Sequence, residues 1–376
     1  MTPSSVQSIL ERSRLQDLFD VLHRRGYAVI GPTVRDRAIV CEELRSAAEL
    51  PEGWGDLQEG GSYRLQRRPD KALFGFAVPT NSWKEWLHPK RLKLLDAHRN
   101  PDGSLRFTPG DEDDPPKLAF LGARSCELHA IAIQDRVFLG GAFTDPHYAK
   151  RRAAVLIIAT NCGTSGGTCF CVSMNTGPKV NRERTPFDIA LTELLDESGH
   201  RFLLEAGSEA GAVILGELPV RAATESEVTA AETLVANTAN RMGRSLDTHR
   251  LPETLLANLE HPRWKEVADR CLNCANCTMV CPTCFCTTVE DVTHLTGDHA
   301  ERWRRWDSCF NLDFTRMHGG PARQSGQSRY RQWLTHKLAT WHEQFGSSGC
   351  VGCGRCISWC PVGIDLTEEV RALRSP

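Results

Sequence analysis

The sequence predicts a mixed α+β chain in two parts, an α/β domain over residues 1–225 and an α-helical domain over 226–376. Three observations predict it. Short apolar runs alternate with helix-spaced runs between about 117 and 220, as in a parallel or mixed sheet covered by helices. Beyond about 225 strand signals fade and helix-forming stretches dominate. Two copies of one cysteine spacing lie wholly within the second part.

The elements follow in order. The chain opens MTPSSVQSILERSRLQDLFDVL, where Ser4 or Ser5 caps a predicted helix with Val6, Ile9, Leu10, Leu15, Leu18, Phe19 and Leu22 on its apolar face. This stretch lacks the basic and uninterrupted apolar regions of a signal peptide. YAVIGPTV (27–34) and AIVCEEL (38–44) read as a hairpin or successive strands, with Cys41 as a core residue, and FGFAVP (74–79) adds another strand-like run. DEDDPP (111–116) reads as a solvated linker or loop tip. KLAFLGA (117–123) and AAVLIIATNC (153–162) read as buried strands, and CELHAIAIQDRVFL (126–139) as a helix between them. FDIALTELLDES (187–198) suggests an amphipathic helix, and RFLLEAG (201–207) and AVILGEL (212–218) suggest strands. Folds of this class place ligands beyond strand C-termini. Here those ends lead into Cys126 and Cys162. ESEVTAAETLVANTANRMG and ETLLANLEHPRWKEVADR are helical, and the latter runs straight into Cys271.

Cys271, Cys274, Cys277 and Cys281 precede Pro282; Cys350, Cys353, Cys356 and Cys360 precede Pro361. Each set reads C-x2-C-x2-C-x3-C-P, the bacterial ferredoxin spacing for a [4Fe–4S] cluster. Three thiolates two residues apart wrap one face of a cubane, while the fourth, before the Pro that fixes the exit, ligates the other cluster. A crossed assignment follows: Cys271, Cys274, Cys277 and Cys360 for one cluster, Cys350, Cys353, Cys356 and Cys281 for the other. Zinc would take two C-x2-C pairs rather than three cysteines in register plus a fourth before Pro. The 68 residues between Cys281 and Cys350 exceed the link of compact bacterial ferredoxins. An insert of that length, read as helical, points to an α-helical ferredoxin-like domain.

Of the 16 cysteines, eight remain. TCFC occurs at 168–171 and again at 283–286. In an extended segment residues i and i+2 face one side, so each C-x-C offers two thiols to one site and leaves Phe170 or Phe285 as an apolar wall. Cys126, Cys162, Cys169 and Cys171 form one candidate third-cluster set, with Gly163, Gly166 and Gly167 allowing close backbone approach. Cys284, Cys286 and Cys309 form an alternative, alone or with the two C-x-C pairs pooled. The bland reading is buried reduced thiols. His129 is the histidine beside these cysteines and reads as a core or supporting residue. A net charge of −2 gives no argument for nucleic acid or an anionic membrane surface. No apolar run reaches spanning length, and thiolate-bound iron suits a reducing cytoplasm.

The strings LGARSCELHAIAIQDRVFLGG, DPHYAKRRAAVLIIATNCGTSGGTCFCVSMNTGP, CLNCANCTMVCPTCFCTTVED, WDSCFNLDFTRMHGG and GCVGCGRCISWCPVGIDL resemble one family over roughly residues 60–376. They resemble the β subunits of cytosolic [NiFe] sulfhydrogenases and NADP-linked hydrogenases and, less closely, one of the subunits of anaerobic sulfite reductase. The resemblance implies a non-catalytic iron–sulfur electron-transfer subunit. It implies partners too: a flavin subunit that handles NAD(P)H, and the small and large subunits of a [NiFe] hydrogenase. The alternatives are a sulfite or sulfur reductase subunit, or a chain whose own third centre is catalytic or sensory. No G-x-G-x-x-G follows a strand and no Walker A loop is present. No terminal C-x2-C pairs of the nickel–iron type are present either. The expected action is therefore a relay. Arg302, Arg304, Arg305, Arg316, Arg323, Arg329 and Arg331 lie between the motifs, as a basic docking face or as ordinary solvated residues.

Overall fold

The computed structural model describes residues 7–110 and 114–374. Ser4, Ser5, Val6 and the first half of DEDDPP lie outside them. The strands are β1 Ser8–Glu11, β2 Ala28–Arg35, β3 Ala38–Leu44, β4 Trp54–Glu59, β5 Ser62–Arg67, β6 Arg91–Arg99, β7 Leu105–Pro109 and β8 Leu118–Ala123. They continue with β9 Val155–Thr160, β10 Ile189–Asp196, β11 Gly199–Ala206, β12 Arg221–Ala222, β13 Thr287–Thr293 and β14 His299–Trp306.

The main sheet runs β12-β1-β11-β10-β9-β8-β2-β3. Its centre, β10-β9-β8-β2, is parallel, and antiparallel strands close both sides. The Ser125–Leu139 helix connects β8 to β9 together with the Pro146–Ala153 helix. The parallel strands are buried on both faces; β8 is buried at every position. That burial explains why Leu118–Ala123 reads as an unbroken apolar run.

Four elements differ from the sequence reading. The first helix covers only Leu15–Arg24, because Ser8–Glu11 pairs as a strand with β11. Residues 189–196 form strand β10 rather than a helix, held between β9 and β11. Residues 209–215 form a helix rather than a strand, and Ser208 caps it by accepting from the Gly211 amide. FGFAVP is irregular; the Arg124 guanidinium holds it by donating to the Phe74 and Phe76 carbonyls at 2.8 and 2.9 Å.

The insert between the motifs is only half helical. Its first part is the β13–β14 hairpin, and β14 pairs antiparallel with β6 in a second sheet, β13-β14-β6-β7. Residues from both sides of position 225 therefore share one sheet. The Gly326–Thr335 helix follows and passes through a π-helical turn, His336–Thr340, into Trp341–Phe345. Arg302, Arg304 and Arg305 on β14 are ion-paired with Asp291, Asp145 and Glu290. They belong to the sheet rather than to a free basic face. No helix among the described residues is long and apolar enough to cross a membrane.

Candidate iron–sulfur sites

The two cysteine motifs adopt the same backbone. In the first, Asn273 and Ala275 have φ of 52° and 66°; in the second, the equivalent Gly352 and Gly354 have φ of 67° and 76°. Each motif thus turns through two left-handed residues, and a short helix, Asn276–Met279 or Arg355–Ser358, follows. This tight turning brings three sulfurs of a motif to one side. It also aims a backbone amide at the first sulfur of each motif. Asn273 N donates to Cys271 Sγ at 3.4 Å, and Gly352 N donates to Cys350 Sγ at 3.5 Å.

The sulfurs collect in the crossed sets that the spacing predicts. Cys271, Cys274, Cys277 and Cys360 line one apolar cavity, walled by Phe310, Tyr330 and Trp333. Burial and then the charges of Cys271, Cys360 and Cys274 push the Cys277 thiol up. Burial and the charges of Cys350, Cys353 and Cys281 do the same to Cys356. The first set reaches the surface, with Cys274 exposed and Leu272 63% exposed beside it. The second is deep, with Cys350, Cys353 and Cys281 all buried.

The donor chemistry fits cubane clusters better than single ions. Among the described residues no three cysteine sulfurs all lie within 4.8 Å of one another. A tetrahedral zinc with bonds of about 2.3 Å would draw them to roughly 3.8 Å. The amide donors aimed at sulfur are the kind of hydrogen bond that tunes such clusters.

Cys126, Cys162, Cys169 and Cys171 are also brought together, beyond the C-terminal ends of β8 and β9. Burial and the charges of Cys162, Cys169 and Cys353 push the Cys171 thiol up, and burial with Cys171, Cys353 and Cys162 pushes Cys126 up. Cys353 therefore neighbours both the deep set and this quartet. Backbone packing explains the proximity. The Phe170 amide donates to the Gly352 carbonyl at 2.9 Å, and a Cβ on Gly352 would meet Phe170 and Cys171 backbone atoms at 2.7 Å. A Cβ on Gly354 would meet the Thr168 carbonyl oxygen at 2.5 Å. The second motif's glycines thus serve a close approach as well as positive φ. Phe170 is buried in the core that also holds Trp264, Phe310 and Tyr330, as an apolar wall would be.

The second C-x-C divides its contacts. A hydrogen bond from Cys284, with the Lys337 ammonium, holds the Cys281 thiol well below its usual range. Cys286 is lowered to about 7, chiefly by a hydrogen bond from Cys309. The three thiols of this group therefore lean on Cys281 of the deep set for a fourth. His129 does not join any cysteine set; it lines an open cleft with Lys179, Arg182 and Arg184. Cys41 is buried in the core with Trp83 and Phe120.

Sequence reasoning missed the buried cations. Lys337 sits on the π-turn, and its Nζ donates to Cys281 Sγ and Thr283 Oγ1 at 3.2 Å, to the Gly349 carbonyl at 3.2 Å and to Cys284 Sγ at 3.5 Å. Arg124, on the far side, lowers the Cys162 thiol against the upward push of burial. Arg355 lies inside the second motif. It donates to the Pro79 carbonyl at 2.8 Å and pairs with Glu127, next to Cys126. Only Arg355 had a sequence signal, its place between two motif cysteines.

Residues 270–364 match a family model described as a 4Fe-4S dicluster domain. Over 265 residues, 69% of this chain and 75% of the relative, the chain is 32% identical to sulfhydrogenase 2 subunit beta of Pyrococcus furiosus. No solved structure matches.

Proposed function

We propose that this chain, which belongs to the family of sulfhydrogenase beta subunits and is an iron–sulfur electron-transfer subunit, relays electrons between a flavin subunit handling NAD(P)H and a [NiFe] hydrogenase module. Cys271, Cys274, Cys277 and Cys360 would hold one [4Fe–4S] cluster, and Cys350, Cys353, Cys356 and Cys281 the other. Cys126, Cys162, Cys169 and Cys171 would hold a third iron–sulfur cluster. When bound, such a group supplies a reversible one-electron couple. A reducing cytoplasm suits all three sets.

The observation that carries this reading is the order of the cysteine sets. One reaches the surface at Cys274, the next is buried, and the third shares Cys353 as neighbour with the second. That is a line through the molecule rather than a single pocket. The chain's own residues keep water from the middle of the line and aim amides and Lys337 at sulfur. The 126/162/169/171 set is favoured over 284/286/309 because it has four thiols of its own.

Iron and acid-labile sulfide analysis of the anaerobically purified chain tests the third set. About twelve of each per chain are expected, from three cubanes, falling to about eight in Cys169→Ser/Cys171→Ser. About eight in the parent chain would remove the third cluster. Hydrogen or NAD(P)H turnover by the isolated chain would remove the relay reading, and co-purification identifies the partners.

A further inference from the structure

A second chemistry-bearing cluster lies well away from the cysteines, on the four-stranded sheet. Strands β6 and β14 pair so that His299 stands opposite His98 and Glu301 opposite Asp96. Residues two apart on a strand face the same side. Two imidazoles and two carboxylates therefore form a two-by-two array on one face. The His98 and His299 rings stack with centroids 4.2 Å apart and 7° between planes. Their Nε2 atoms converge on one oxygen, Asp96 Oδ1, His98 at 3.4 Å and His299 in direct contact. The ligand atoms of Asp96, His98 and His299 all lie within 4.8 Å of one another. Those of His294, His299 and Glu301 do as well. His294 lies at the hairpin turn, and its amide donates to the His299 carbonyl at 2.9 Å.

We infer that this array is a binding site for one divalent transition-metal ion, held by His98, His299 and Asp96 and completed by Glu301 or His294. Imidazole nitrogens combined with carboxylate select zinc, nickel or copper over magnesium and calcium. Two stacked imidazoles that turn their nitrogens to one point are placed to share an ion. Lys93 is the internal competitor. Its ammonium lies 2.6 Å from Asp96 Oδ2 and 3.5 Å from Glu301 Oε1. It neutralises those carboxylate oxygens and leaves Asp96 Oδ1 to the histidines. Asp96 is 13% exposed and His98 50%, so the site opens to solvent on the imidazole side.

The position gives the ion a structural role. His98 and Asp96 come from the first half of the chain, and His299 lies 203 residues after Asp96. An ion here would clamp the outer end of the β13–β14 hairpin to β6. The same hairpin carries Cys286 just before β13 and Cys309 just after β14, where the Asp307 amide donates to the Cys286 carbonyl at 2.8 Å. The site depends on none of the cluster assignments.

The test uses the full, cluster-replete chain and Zn²⁺ in competition with a chromophoric chelator. One zinc per chain is expected, with affinity reduced at least 100-fold in His98→Ala/His299→Ala. Iron and sulfide content should not change in that variant. Zinc-edge absorption of the parent chain should show only nitrogen and oxygen at about 2.0–2.1 Å. Unchanged affinity in the variant, or a zinc–sulfur shell at about 2.3 Å, overturns the site.

Discussion

At the scale of single residues, the sulfur environments are set by a few charges and amides. Lys337 is 3% exposed, and four of its contacts are to groups at the deep set or beside it. An ammonium beside a ligand sulfur favours the state with more negative charge, which for a cluster is the reduced one. Lys337→Met should therefore lower the potential of the deeper cluster by several tens of millivolts, where about 59 mV is a tenfold shift for one electron. Lys337→Arg should retain most of the parent value. Redox titration followed by electron paramagnetic resonance reads this directly. An unchanged potential would mean that Lys337 only fills space. No pattern announced Lys337 in advance, because it stands alone in a helix 56 residues from Cys281. Its role depends on the π-turn and on packing that no local spacing encodes.

At the scale of elements, the twin motifs differ in a testable way. Both need left-handed residues, but only the second motif is pressed against another backbone. Gly352→Ala places a Cβ 2.7 Å from Phe170 and Cys171 atoms and adds the left-handed cost of about 1–2 kcal/mol. It should loosen the contact with the first TCFC segment and lower cluster retention. Ala275→Gly should do the reverse and stabilise the first motif by roughly 1 kcal/mol, seen as a higher midpoint in chemical unfolding. Equal destabilisation by both changes would show that the motifs are not packed as different partners. The cysteine grouping itself was legible from the spacing, since a three-cysteine turn and an outlying fourth follow from chain geometry alone. The β10 strand was not. Ile189–Asp196 is buried in a sheet and so loses the alternation that marks a half-exposed strand. The Ser8–Glu11 strand and the β13–β14 hairpin were hidden for a related reason. Their partners, β11 and β6, lie some 190 or more residues away in sequence.

At the scale of the whole molecule, one ion pair joins the parts. Glu127 lies at the start of the Ser125–Leu139 helix, where its carboxylate accepts from the Arg124 amide at 3.0 Å. Arg355 lies within the second ferredoxin-type motif, and each side chain is 1% exposed. The pair thus ties the loop after β8, with Cys126, to the turn that carries Cys353 and Cys356. Breaking a buried pair by removing one partner leaves an uncompensated charge and costs about 3–5 kcal/mol, whereas replacing both partners with apolar groups is often neutral. Glu127→Gln should therefore be strongly destabilising, because Arg355 then keeps only carbonyl partners, those of Pro79 and Asn81. Glu127→Leu/Arg355→Met should recover most of that loss. Chemical unfolding of the cluster-replete chain, followed by loss of iron–sulfur absorbance and by circular dichroism, separates the cases. If the pair truly connects the two halves, the two signals should disappear together in the parent chain and apart in Glu127→Gln. A single shared transition in the variant would mean that the glycine contacts at Phe170 and Cys171 hold the halves together without the ion pair.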